Sequence, residues 1–139
     1  MTTAISADAL HGLARASRVL ERSSGELSLA QYRVLASVGS GEERAARIAA
    51  RLALGKPTIS ATVDSLTQRG LLTRSGVDAD QRAAALSLTD EGRATLAAVE
   101  REMSERLDWL AARTPDPQAV VQALAWLDAA VDQFLAERR

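Results

Sequence analysis

The 139-residue chain has no cysteine. That excludes disulfides, thiolate metal sites and thiol redox chemistry. Histidine occurs once, at His11, which leaves no imidazole cluster for a metal and few partners for a nucleophile. Neither a Ser/His/Asp set nor a phosphate-cradling glycine loop can be found. The expectation is therefore a protein that is not an enzyme and needs neither cofactor nor metal. Aromatic residues make up 3% of the chain, namely Tyr32, Trp109, Trp126 and Phe134. Lysine occurs once, at Lys56, beside sixteen arginines. No apolar run approaches the roughly eighteen residues that cross a bilayer, and the N-terminus lacks a signal-peptide pattern, so a soluble, cytoplasmic protein is expected.

What is present is alanine-rich apolar sequence, 47% hydrophobic in all. Alanine-rich helices bury little area each, so a chain of this size gains from a partner. Net charge is −1, but residues 44–93 carry eight basic against five acidic side chains, and residues 94–139 carry five against eight. The asymmetry suggests a basic module carried by an acidic one.

Helical periodicity predicts a first helix from about Ser6 to Arg22, with Leu10, Leu13, Ala16 and Leu20 on one stripe. Ser28 and Gln31 predict a capping box for a second helix, with Leu27 and Tyr32 as its hydrophobic staple. A short third helix, about Glu43 to Leu52, leads through a tight turn at Leu54-Gly55 into a fourth. Pro57 suits the first turn of that fourth helix and Gly70 its left-handed terminator. Two helices joined by a tight glycine-containing turn read as a helix-turn-helix. Strands at Leu71–Ser75 and Ala83–Leu88, joined by Gly76–Arg82, predict a hairpin. Thr89 caps a long fifth helix with the stripe Leu96, Val99, Met103, Leu107 and Leu110, and Asp116-Pro117 opens a sixth. The fold class expected is mainly α with a small two- or three-stranded β wing. The division expected is a winged helix-turn-helix over residues 27–88 and a helical dimerisation region over 1–24 and 89–139.

A hairpin beside a recognition helix can reach the minor groove next to the major groove that the helix occupies. An arginine at its tip, Arg82, is attracted by the potential of a narrow minor groove, while one at its base, Arg74, can meet a phosphate. On the fourth helix, 100° per residue turns Ile59, Val63 and Leu66 inward, so that Pro57, Ala61, Asp64 and Gln68 face out with Thr58, Ser60 and Ser65 flanking. Small and hydroxyl side chains at a helix start let the backbone sink into a groove, and Ala61 can meet a thymine methyl.

The stretches "LSLAQYRVL", "ARIAARLALGKPTISATVDSLTQRGLLTR" and "DADQRAAALSLTDEG", with the long terminal helices, resemble the MarR (multiple antibiotic resistance regulator) family of bacterial transcription factors. The joint spacing of Pro57-Thr58, Leu66, Gly70, Arg74, Asp80-x-Arg82, Leu88-Thr89 and Gly92 carries the resemblance. It implies a homodimer in which the first, fifth and sixth helices intertwine with the partner's. It also implies a repressor of a near-palindromic operator, released by a small aromatic or phenolic effector. Gln81 stands where many relatives carry a second basic residue, which lessens the phosphate attraction of this wing.

The candidate DNA-binding residues are Lys56, Pro57, Thr58, Ser60, Ala61, Thr62, Ser65, Arg74, Asp80, Gln81 and Arg82. Arg74 either meets phosphate or pairs with Asp80, and Asp64 either pairs with an arginine or accepts from cytosine. Arg44, Arg47 and Arg51 are phosphate contacts or a plain exposed face. The candidate dimerisation residues are Leu10, Leu13, Leu20, Val120, Leu124, Leu127, Val131 and Phe134. Trp109 and Trp126 fit core or dimer packing better than pocket walls, and no effector-pocket residues are assigned. The partners expected are double-stranded DNA, a second copy of the chain and a small organic effector. The rival reading is a dimeric winged-helix adaptor that binds only protein.

Overall fold

The computed structural model describes residues 4–42, 44–75 and 85–138. Its elements are α1 (Ala7–Arg22), α2 (Leu29–Gly39), α3 (Ala45–Leu52), α4 (Lys56–Gln68), β1 (Leu72–Ser75), β2 (Ala85–Leu88), α5 (Asp90–Ala111) and α6 (Pro117–Ala136). Mainly helical, with a small antiparallel sheet, this is the expected fold class. The sheet pairs Leu72 with Leu88, Thr73 with Ser87, Arg74 with Leu86 and Ser75 with Ala85. β1 begins one residue later than expected, at Leu72, and Gly76–Ala84, including the first two residues expected for the second strand, lie outside the described residues.

Local chemistry sets the helix ends. Ser28 Oγ accepts from the Gln31 amide at 3.1 Å, and Gln31 Oε1 accepts from the Ser28 amide at 3.0 Å, completing the capping box of α2. The turn after α3 is tight, as expected, and runs from Ala53 to Gly55. Its left-handed residue is Ala53, at φ 56°, while Gly55 has an ordinary φ of −70° and serves as the N-cap of α4. The left-handed step is thus taken by a residue with a Cβ, and Gly55 supplies a helix start with no side chain to obstruct it. Gly70, at φ 76°, ends α4 as expected.

The core lies in the middle of the chain. Val34, Leu35 and Val38 from α2 pack with Ile48 and Ala49 from α3, Ile59, Val63 and Leu66 from α4, and Leu71, Leu72 and Leu86 at the sheet. Val99 of α5 joins them, with Leu96 and Met103 partly buried alongside. Leu35, Ile48 and Leu66 are fully buried, positions where truncation to alanine costs about 2–5 kcal/mol.

A compact junction ties α5 to the end of α4. Thr89 Oγ1 donates to the Gly70 carbonyl at 2.6 Å and accepts from the Gly92 amide at 2.9 Å, while the Thr89 amide donates to the Leu71 carbonyl at 3.1 Å. A Cβ on Gly92 would lie 2.0 Å from the Leu71 carbonyl oxygen. The Thr-x-x-Gly spacing therefore allows the first turn of α5 to sit directly on the strand start.

Neither α1 nor α6 contributes a buried residue. α6 also departs from the expectation drawn from apolar runs. No run is uninterrupted, but mean hydropathy reaches 1.3 over 18 residues, so by length and composition this helix could cross a membrane. Its alanines, valines and leucines raise the average even though Asp128 and Asp132 break the run. Val121, Leu124, Trp126, Leu127, Val131 and Phe134 are all exposed along it.

Candidate nucleic-acid interface

The first turns of α4 present Lys56, Pro57, Thr58, Ser60 and Ala61 to the outside, followed by Asp64 and Gln68. Pro57 at the helix start has no backbone N–H to leave unsatisfied. The side chains of Thr58, Ser60 and Ala61 are short, so a partner surface can approach the α4 backbone closely. Lys56 has no bonded partner among the described residues, which leaves its charge available to an anion.

Two other candidates on α4 are turned elsewhere. Thr62 is buried, and its hydroxyl donates to the Thr58 carbonyl at 2.8 Å. It occupies the i+3 position after Ile59, on the same inward stripe as Val63 and Leu66, and the back-bond satisfies its oxygen inside the fold. Thr62 therefore leaves the candidate surface. Ser65 is half-buried and accepts from Gln31 Nε2 at 3.2 Å, which links α4 to the start of α2 instead of leaving its hydroxyl free.

Arg74 on β1 donates from Nη2 to Asp64 Oδ1 at 2.6 Å. Of the two roles open to Asp64, pairing with an arginine is the one observed. Asp80, Gln81 and Arg82 lie outside the described residues. Arg51 approaches Asp132 of α6 at 3.9 Å, so its charge points toward the terminal helix, whereas Arg47 remains exposed on α3.

Sequence reasoning missed the bracing of this surface. Arg69, just after α4, donates to the Glu26 carboxylate at 3.2 Å, the Glu26 carbonyl at 3.3 Å and Gln31 Oε1 at 3.4 Å. Gln31 thus closes the α2 cap and also holds the far end of α4. The capping-box spacing exposed the first task, but no local pattern signals the second, which joins residues 38 apart.

Among the candidate dimerisation residues, Leu10, Leu13, Leu124, Leu127, Val131 and Phe134 are exposed, and Leu20 and Val120 are half-buried. Trp109 and Trp126 are outside the core, at 50% and 67% exposure, and the Arg113 guanidinium lies 3.4 Å from the Trp109 ring centroid. His11 is exposed on α1.

A cleft of about 710 Å³ lies between α2, the α3–α4 turn and α6. Arg33, Arg51 and Asp132 supply charge to it, and Leu52, Val131 and Phe134 supply apolar wall. Tyr32 also lines it. Burial, reinforced by the neighbouring Glu100 carboxylate, raises the Tyr32 phenol above its ordinary pKa. Among the described residues no group of acidic or histidine side chains is placed to hold a metal ion.

Residues 25–83 match the model of the MarR family. Solved structures resemble nearly the whole chain. A MarR-family transcriptional regulator from Rhodococcus sp. RHA1 is 22% identical, with 94% of this chain and 98% of that one covered at a TM-score of 0.73. The PcaV regulator of Streptomyces coelicolor, solved with its natural ligand, is 26% identical, with coverage of 93% and 98% and a TM-score of 0.68. The repressor CouR, solved on a 23-mer DNA duplex, is 26% identical, with coverage of 92% and 99% and a TM-score of 0.70. Comparison with curated proteins gives no match.

Proposed function

We propose that this chain, similar over residues 25–83 to the MarR family and along most of its length to solved regulators, is a cytoplasmic, homodimeric repressor of that family. It binds a near-palindromic double-stranded operator and is released by a small organic effector, with no catalytic chemistry of its own. The observation that carries this reading is the outer face of α4. There a lysine, a proline at the helix start and the short side chains of Thr58, Ser60 and Ala61 share an exposed surface. Such a face fits a major groove, with Lys56 near phosphate and the short side chains at base edges. CouR, solved on a DNA duplex, supports duplex DNA as the partner.

Dimerisation is supported by the exposed stripes of α1 and α6. Paired with a second copy, they would bury the apolar area of an obligate interface. The same pairing accounts for the hydropathy of α6 without a membrane. An organic effector is supported by the cleft between α2 and α6, whose size suits a small molecule, and by the ligand-bound state of PcaV.

Selection of bound sequences from random duplex DNA, followed by binding measured against salt, tests the reading. A recovered inverted repeat, with half-sites about one helical turn apart and affinity falling steeply with salt, is expected. Absence of duplex binding would favour a protein-binding adaptor.

A further inference from the structure

The outer face of α4 carries one carboxylate in its middle, Asp64, one turn beyond Ala61. A negative charge in that position repels phosphate and lowers affinity for any duplex. It is not left bare. Arg74 reaches from β1, where it lies opposite Leu86, and its Nη2 donates to Asp64 Oδ1 at 2.6 Å. The Arg74 side chain keeps 31% exposure and that of Asp64 57%, so the pair is a surface feature facing outward and not part of the core. A bond this short between guanidinium and carboxylate is charge-assisted and holds the Arg74 head group against Asp64. The Arg74 side chain makes no other bond among the described residues.

We propose that Asp64 is a specificity-determining residue, which captures Arg74 and so withholds its charge from the phosphates of arbitrary DNA. The proposal rests on the reading of α4 as a DNA-binding helix. A free arginine at the hairpin base would add one counterion-releasing contact to every duplex, whatever its sequence. Paired with Asp64, the same arginine has its charge largely cancelled, and the carboxylate sets a penalty that a correct site offsets through its base contacts. Specificity is a difference between affinities, and an element that weakens the wrong complexes serves it as well as one that strengthens the right one. The pair also fastens β1 to α4, so this strand and the helix hold a fixed relative geometry.

The test compares wild type, Asp64→Asn, Asp64→Ser and the double variant Asp64→Asn/Arg74→Ala on two duplexes across a salt series. One duplex is the best sequence selected from the random pool and the other is a scrambled version of it. Both single replacements sit at an exposed position, and matched melting curves show that they fold. Freed from its carboxylate, Arg74 is expected to steepen the salt dependence by about 0.9 per chain, or about eightfold in affinity for each tenfold drop in salt. The scrambled duplex should gain more than the selected one, so the ratio between them falls. The double variant should return the slope to that of wild type, because the released arginine is gone. Unchanged slope and ratio in both Asp64 variants would overturn the proposal. So would weaker binding to the selected duplex alone, which would make Asp64 a direct acceptor from a base. A wild-type protein that binds neither duplex would overturn the DNA-binding reading as well.

Discussion

Gly92→Ala should destabilise the protein, although glycine-to-alanine changes inside helices ordinarily do the reverse. Alanine gains about 1 kcal/mol over glycine in a helix. Here the added methyl group would stand 2.0 Å from the Leu71 carbonyl oxygen. Even a close carbon–oxygen contact needs about 3.3 Å, so the start of α5 would have to retreat by more than about 1 Å. Overpacking of this kind costs about 1–3 kcal/mol. The retreat also stretches the Thr89 amide bond to Leu71, worth about 1 kcal/mol net. The balance is a loss of about 1–3 kcal/mol, or a fall in Tm of about 4–10 °C for a chain of this size. Melting followed by far-ultraviolet circular dichroism, at one fixed protein concentration, measures it. Gly12→Ala on α1 is the control, since nothing lies within 4 Å of the added carbon and Tm should hold or rise. If Gly92→Ala melts at or above wild type, the junction is looser than its geometry and the argument fails.

Three further outcomes are expected. Tyr32 is the sole tyrosine, so absorbance titration of the folded protein should give one phenol midpoint above 10, falling toward 10 in denaturant. Because the folded pKa is raised, the associated stability is intact below pH about 10 and declines above it; Glu100→Gln should lower the midpoint only in part, since burial is the larger cause. Phe134→Ala should weaken self-association and lower Tm, by up to about 3–5 kcal/mol if the ring is buried between copies; sedimentation of wild type at micromolar concentration as a folded, stable monomer would refute this. Arg82→Ala should weaken binding most on A/T-rich flanks with a narrow minor groove, and equal losses on matched A/T and G/C flanks would refute a minor-groove role.

The features legible in the sequence were those written in local spacing. Ser28 and Gln31 predict a cap because both bonds form within one turn, and Thr89 at the head of α5 follows the same logic. Gly70 stands out because few other residues tolerate a left-handed stop. The misreadings came where spacing is ambiguous or the partner is distant. Thr62 counts among the DNA-binding candidates in the sequence, yet its position three after Ile59 belongs to the inward stripe, and a bond to Thr58 makes burial tolerable. The sequence places the tight turn between α3 and α4 at Leu54-Gly55, and its left-handed residue proves to be Ala53, one position earlier. The sequence leaves Arg74 between a phosphate and Asp80, which lies outside the described residues; the carboxylate it meets among the described residues is Asp64, which the packing of β1 against α4 brings near.

The junction at Thr89 and Gly92 makes α5 a lever arm whose short end is the reading surface. With 22 residues, α5 is about 33 Å long at 1.5 Å per residue. Because its first turn is bonded to Gly70 and Leu71, immediately after α4, a tilt of α5 would be passed directly to the end of α4. If the far end of α5 is the pivot, a tilt of about 6° carries the α4 end through about 3.4 Å, the rise of one base pair along the duplex. An angular adjustment of a few degrees at the distant end is thus converted into a full step of register at the groove.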